Sequence, residues 1–263
     1  MRFRLFGIPV QVQPWFWLTT VLLGLPTLMS GRIADFAIWV VVLLFAVVVH
    51  EMGHALAILQ RGGRPDITLH AMGGTTSWGA SLSLSRPQQA FISFAGPLAG
   101  FVVAGLVFAF AFFFPVVVAG LPRLVQLTLN NLLWVNLLLG LLNLAPVLPF
   151  DGGHILEAAL GPKRADWTAG ISQLFGILFT VGFLTIGATW GALLFGMSTF
   201  QSYQQNPGVL RRLWLKIKLR RLESQAEGLR GSASAPARRK PGAPPLRVIQ
   251  GGADKPRDRR DLN

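Results

Sequence analysis

Cysteine is absent from the 263 residues. Disulfides and zinc–thiolate sites are therefore excluded, and any metal would have to be held by histidine and carboxylate side chains. Charge is scarce too: 13% of the residues are Asp, Glu, Lys or Arg, against about 25% in an ordinary soluble domain. With 52% hydrophobic residues, a water-soluble fold would have too little polar surface to cover its apolar content. Acidic residues are the scarcer sign, 11 against 24 basic ones, for a net charge of +13. In a soluble protein that excess would suggest nucleic acid, but much of it lies beyond Pro207, in Arg211, Arg212, Lys216, Lys218, Arg220 and Arg221. This segment reads as an amphipathic juxtamembrane helix facing anionic lipid, with no nucleic-acid partner. The Pro, Gly, Ala and Arg mixture of residues 231–263 is expected to be disordered.

What the sequence has in abundance is long apolar stretches, at residues 15–29, 36–59, 91–119, 125–149 and 171–200. Runs of about 20 apolar residues match the hydrocarbon thickness of a bilayer, so these read as membrane spans. The first lacks a clear small-residue cleavage site and reads as a retained span rather than a signal peptide. Arg2 and Arg4 precede it and the tail is basic, which places both ends in the cytoplasm by the positive-inside rule. An even number of spans follows, so the run 171–200 is expected to split near Gly187 to Gly191, giving six. The connections then alternate as they should: Arg61, Arg64 and Arg86, then Lys163 and Arg164, on the cytoplasmic side, and only Arg32 and Arg123 outside.

Residues 61–90 are polar and rich in Gly, Ser and Thr. Alternation in Ile67-Thr68-Leu69-His70 and in Ser81-Leu82-Ser83-Leu84, with Gly73-Gly74 between, predicts a small hairpin or sheet at the cytoplasmic surface. Pro87 and the two glutamines after it are expected to open the third helix.

The second apolar run contains His50-Glu51-Met52-Gly53-His54, an H-E-x-x-H pattern. Two histidines at i and i+4 share one helix face, so both imidazoles can hold one Zn²⁺ while the glutamate reaches a water beside it. Glu51 would then act as general base and pass the proton to the leaving amine. The plainer alternative is a set of buried polar groups that stabilise helix contacts. It leaves unexplained a carboxylate after the apolar run Ile38 to Val49, where an uncompensated charge costs several kcal/mol.

A catalytic zinc normally has three protein ligands, and the candidates for the third are Asp151, His154, His70, Asp66 and Glu157. Asp151 is best placed, at the cytoplasmic end of the fourth span. Before it, Pro146 and Pro149 cannot sit in an unbroken helix, so the span should unwind there. Unwound backbone at membrane depth must be buried in protein or face a polar cavity. A helix-capping role for Asp151 is the competing reading, and pairing with H-E-x-x-H on the same side weakens it. His154 reads as a polar residue at the membrane surface, and Glu157 and Asp166 are expected to pair with Lys163 or Arg164.

With these residues in view, the sequence resembles the site-2 protease family of intramembrane zinc metalloproteases. The resemblance rests on His50-Glu51-Met52-Gly53-His54 and on Asn143-x-x-Pro146-x-x-Pro149-x-Asp151-Gly152, and covers roughly residues 5 to 204. It implies His50, His54 and Asp151 as ligands of one Zn²⁺ per chain and Glu51 as the catalytic acid and base. Asn143 would bind the substrate backbone or polarise the scissile carbonyl. The polar segment after the second helix would hold the substrate in extended form. No inserted PDZ-like domain fits between the spans, and Gly100 stands where relatives often carry a polar residue.

The expected protein is thus an all-α multipass membrane protein of about six spans, with a small hairpin or sheet between the second and third. Residues 1–206 would form the membrane-embedded metalloprotease domain and residues 207–263 a basic cytoplasmic tail. It would cut membrane-anchored substrate proteins in a prokaryotic cell membrane. A metal transporter and a catalytically silent scaffold are the alternatives.

Overall fold

A computed structural model describes residues 1–79 and 82–233, and for residues 228–233 the backbone only. The chain divides into two units, Met1–Leu215 and Lys216–Asn263. Of the second, residues 216–233 are described, and they are helical. The tail expected to be disordered lies, from residue 234 on, outside the described residues.

The first unit opens with two strands, β1 (Arg2–Leu5) and β2 (Ile8–Val12), which precede helices α1 (Pro14–Met29) and α2 (Ile33–Leu59). Strands β3 (Pro65–His70) and β4 (Gly73–Trp78) follow, then α3 (Arg86–Phe113), α4 (Pro115–Gly120) and α5 (Arg123–Asn143). After a bend come α6 (Asp151–Leu160), a 3₁₀ turn (Pro162–Arg164), α7 (Ala165–Thr185), α8 (Thr189–Gln205) and α9 (Val209–Ala233). Among the described residues, four helical stretches are long and apolar enough to cross a membrane: Ile33–Leu59, Arg86–Phe113, Arg123–Asn143 and Pro162–Thr185. Pro14–Met29 is a shorter apolar helix. The run 171–200 is split as expected, at Ile186 to Ala188, where Gly187 takes φ +73° and ends α7.

The sheet is larger than the expected hairpin, with four strands in the order β1-β2-β3-β4. β2 pairs with β3 in parallel, Val10 opposite Ile67 and Val12 opposite Leu69, across a connection that contains α1 and α2. Alternation does the folding here: Ile8, Val10, Val12, Ile67 and Leu69 all point to one face and bury against Phe16, Val47 and Ala55. The sheet is thereby fixed to the two helical turns on either side of the H-E-x-x-H stretch.

The second strand of the hairpin is corrected. It is Gly73–Trp78, paired with Pro65–His70, and not the alternating Ser81 to Leu84. Leu82 and Leu84 lie in non-strand backbone and pack on Ala57, Ile58, Ile92 and Ala95, so their alternation serves a helix interface. Ser81 lies outside the described residues.

α3 starts at Arg86, where the Gln88 side-chain oxygen accepts the Ser85 backbone N–H at 2.8 Å, a helix-start signature. Small residues let α2 and α3 approach closely. A Cβ on Gly53 would come to 2.9 Å from the Ala95 carbonyl carbon and the Ala99 Cβ.

α5 ends at Asn143, and residues 144–150 run as an irregular bend through Pro146 and Pro149 into α6. The bend is held from several sides. The Leu148 N–H donates to the Ser172 hydroxyl on α7 at 2.7 Å. Ala145, Val147 and Phe150 bury against Phe195 of α8. Gly153 packs flat on the bend, since a Cβ there would lie 2.6 Å from the Leu148 nitrogen. Glu157 lies 3.4 Å from His154 rather than beside Lys163 or Arg164, and Asp166 lies 3.3 Å from Arg212. Helical spacing puts Glu157 one turn from His154, and α9 brings Arg212 to Asp166.

Candidate metal centre

α2 presents His50 and His54 on one face, their side chains one helical turn apart. Their Nε2 atoms are 3.3 Å from each other. The bend carries Asp151 to the same point: its Oδ2 is 3.0 Å from His50 Nε2 and its Oδ1 is 3.3 Å from His54 Nε2. Residues 101 positions apart in the chain are thus in contact. Asp151 is the first residue of α6 and not its cap, because Phe150 occupies the capping position.

His54 is fixed by a second contact. Its Nδ1 faces the Ile92 carbonyl of α3 at 2.7 Å. A carbonyl only accepts, so Nδ1 carries a proton, and in the neutral ring Nε2 keeps its lone pair toward His50 and Asp151. His50 Nδ1 is buried without a hydrogen-bond partner among the described residues. Gly96 lies flat against the His54 ring, and any Cβ there would collide with the imidazole.

Glu51 is 3% exposed, within a helix whose other buried residues are mostly apolar. Its Oε2 accepts the Thr76 hydroxyl at 2.7 Å. One ligand atom from each of His50, Glu51 and His54 falls within 4.8 Å of the others.

The donor set fits zinc. Two imidazole nitrogens stand 3.3 Å apart, and each has one oxygen of the Asp151 carboxylate beside it, at 3.0 Å for His50 and 3.3 Å for His54. Ligands at about 2.0–2.1 Å around a tetrahedral ion stand roughly 3.3 Å apart. Two imidazole nitrogens and a carboxylate leave room for a fourth, exchangeable position, which suits a catalytic rather than a structural ion.

These residues line a cleft of about 460 Å³, whose walls also include Thr76 and Trp78 of β4 and Gln89 and Ser93 of α3. Asn143 lines it too, at the last turn of α5, with its amide nitrogen donating to the Leu139 carbonyl at 2.9 Å. His154 and Glu157 are also in its wall, both exposed. The remaining candidates are elsewhere. Asp66 is exposed on β3, and His70 Nδ1 accepts the Met72 N–H at 3.3 Å. Burial holds the His70 imidazole below its ordinary pKa, with the Glu51 carboxylate pulling the other way.

Reading the sequence missed Thr76, the Ile92 carbonyl and the role of Gly96. A backbone carbonyl has no sequence signal. Gly96 was visible as part of Phe94-Ala95-Gly96-Pro97, and Thr76 as a polar residue three after Gly73 in the segment expected at the surface.

The chain is similar to several known proteins. The family described as "Peptidase family M50" matches residues 116–184, and "Peptidase M50B-like" matches residues 17–145. A zinc metalloprotease of Methanocaldococcus jannaschii is 32% identical over 163 residues, covering 61% of this chain and 45% of that protein. A Synechocystis relative, whose name marks it as a candidate zinc metalloprotease, is 33% identical over 223 residues, covering 72% of this chain and 55% of its own. The chain therefore spans about half the length of the curated relatives it matches. The solved structure titled Site-2 Protease from Methanocaldococcus jannaschii superposes with a TM-score of 0.57 at 27% identity, covering 78% of this chain and 94% of that one. With both M50 models, the zinc metalloprotease relatives and the shared fold in agreement, this integral membrane protein belongs to peptidase family M50, the site-2 proteases.

Proposed function

We propose that the protein is an intramembrane zinc endopeptidase that hydrolyses peptide bonds in or near the transmembrane segments of membrane-anchored proteins. The observation that carries this reading is the meeting of His50, His54 and Asp151 beside Glu51, in a cleft between apolar helices. His50, His54 and Asp151 would hold the ion. When bound, zinc supplies Lewis acidity, which acidifies a water and draws electron density from a carbonyl. Glu51 takes the proton from the attacking water and delivers it to the leaving nitrogen. The Asn143 amide sits at the cleft wall, where it can donate to the substrate carbonyl. The substrate lies extended along the edge of β4 that no strand of the sheet covers, its backbone paired to the strand. A helix must unwind to bind this way, which exposes the bond to be cut.

In this reading the chain has six spans, both termini and the active-site side are cytoplasmic, and the membrane is a prokaryotic cell membrane. The positive residues of the 61–64 and 163–164 connections support that orientation. Arg211, Arg212 and the basic residues after them meet anionic lipid. A transport path would require a succession of ligand clusters. Among the described residues one group of three His, Asp or Glu side chains lies close enough to hold an ion.

The decisive variant is Glu51→Gln. Purified, it is expected to hold one zinc per chain and to lose hydrolysis of fluorescein-labelled casein. Full activity in a zinc-loaded Glu51→Gln protein would remove Glu51 from the mechanism. In cells, membrane proteins that accumulate in longer form with this variant are the substrates.

A further inference from the structure

Glu51 has a partner in the structure that the zinc-holding residues do not account for. The Thr76 hydroxyl lies 2.7 Å from Glu51 Oε2 and 3.2 Å from the Glu51 backbone carbonyl. A hydroxyl has a single hydrogen, and the charge-assisted bond to the carboxylate is the shorter and stronger of the two. Two residues earlier on the same strand, and so on the same face, stands Gly74. A Cβ at Gly74 would lie 2.5 Å from Glu51 Cγ and 2.6 Å from its carboxyl carbon. β4 thus offers a slot one residue wide, open at Gly74 and closed by a donor at Thr76, and the Glu51 carboxylate fills it.

We propose that Thr76 is a positioning residue that aims the Glu51 carboxylate, and that it does so from β4 itself, so that the strand which receives the substrate also sets the base. The inference rests on the reading of Glu51 as general base. A buried carboxylate on a flexible side chain has several rotamers open to it, and each ordered in the wrong place costs rate. The Thr76 bond selects one of them. Because the bond comes from an edge strand, any shift of β4 as a peptide pairs with it moves the donor and the base together. No strand of the sheet covers the far edge of β4, so nothing else in the sheet fixes that strand on its outer side.

The test compares Thr76→Val, which keeps the shape and deletes the hydroxyl, with Thr76→Ser, which keeps the hydroxyl. Both are loaded with zinc and assayed on fluorescein-labelled casein. Thr76→Val is expected to keep its zinc and its KM while kcat falls about 10- to 100-fold, the usual scale for losing an outer partner of a reacting group. Thr76→Ser should restore most of kcat. A readout independent of turnover is the infrared carboxylate band of protein labelled with ¹³C in its glutamate carboxyls. Besides Glu51 the chain has Glu157, Glu223 and Glu227, so the Glu51 band is the one that Glu51→Gln removes. That band should move in Thr76→Val and return in Thr76→Ser. Should Thr76→Val fail to fold, Thr76→Ala takes its place, since it also deletes the hydroxyl and removes bulk rather than adding it. Native kcat or an unmoved band in Thr76→Val, or in Thr76→Ala where that variant stands in, overturns the proposal. If Glu51→Gln is inactive while Thr76→Val is fully active, only this inference fails. If Glu51→Gln is itself active, the reading of Glu51 fails with it.

Discussion

Arg86, the first residue of α3, reaches the last turn of α6 and donates from Nε to the Ala158 carbonyl at 2.7 Å and from Nη2 to the Ala159 carbonyl. A cation that meets the final carbonyls of a helix caps groups the helix itself cannot pair. Gly161 makes the approach possible. It has φ +75°, and a Cβ there would lie 2.9 Å from the guanidinium carbon. The other end of α6 is Asp151, so Arg86 holds the far end of the short helix that carries the proposed third ligand, from the same α3 whose Ile92 carbonyl fixes His54.

Replacing Arg86 with alanine should therefore loosen Asp151 without touching it. Zinc affinity is expected to fall about 10- to 100-fold, as measured by competition with a chelator of known affinity. Arg86→Lys should recover only part of it, because an ammonium lacks the planar fork that meets two carbonyls at once.

Gly96→Ala should damage the metal centre from the opposite side. The new methyl would sit 2.5 Å from His54 Cε1, so the ring must turn or α3 must retreat from α2. Overpacking of this kind costs about 1–3 kcal/mol. The expected result is a helical protein by circular dichroism that purifies with much less than one zinc per chain.

Asp151→Ala should remove the proposed third ligand outright. Zinc content by elemental analysis is expected to fall further than in Arg86→Ala, and added zinc should restore little activity. Retention of a full equivalent of tightly held zinc would show that another residue completes the coordination.

On the side opposite the cleft, Asp35 at the start of α2 receives both Arg123 Nη1 at 2.8 Å and Arg123 Nη2 at 2.6 Å. This two-pronged pair joins the two helices that carry the H-E-x-x-H stretch and Asn143. Arg32 approaches the same carboxylate only at 3.8 Å. Arg123→Ala should consequently lower the unfolding temperature in detergent more than Arg32→Ala does. Replacing Asp35 and Arg123 together by leucine should recover part of the loss, since it leaves no unpaired carboxylate behind.

The metal centre was legible because its parts follow from local rules. Helical spacing puts His50 and His54 on one face whatever else the chain does, and two prolines must break the helix just before Asp151. The sheet was less legible. β2 finds its partner β3 only after α1 and α2 have been traversed, and a five-residue strand has no sequence mark of such a distant pairing. The hairpin was misread for a more instructive reason. Gly73-Gly74 has the composition of a turn, yet the pair begins a strand, and Gly74 is needed there because the Glu51 carboxylate occupies the space a side chain would take. Local signals describe what a glycine permits, and the neighbour it makes room for lies on another element.

The contact between His50 and Asp151 closes a loop of about a hundred residues in a protein that has no thiols with which to close one. An ion gripped by both ends would act as the covalent staple the chain lacks, taking conformational freedom from the unfolded chain as a cross-link does. The same atom that serves the chemistry would then also be a fastener for the bend at residues 144–150. Stripping it with a chelator should make that bend the first place a soluble protease cuts.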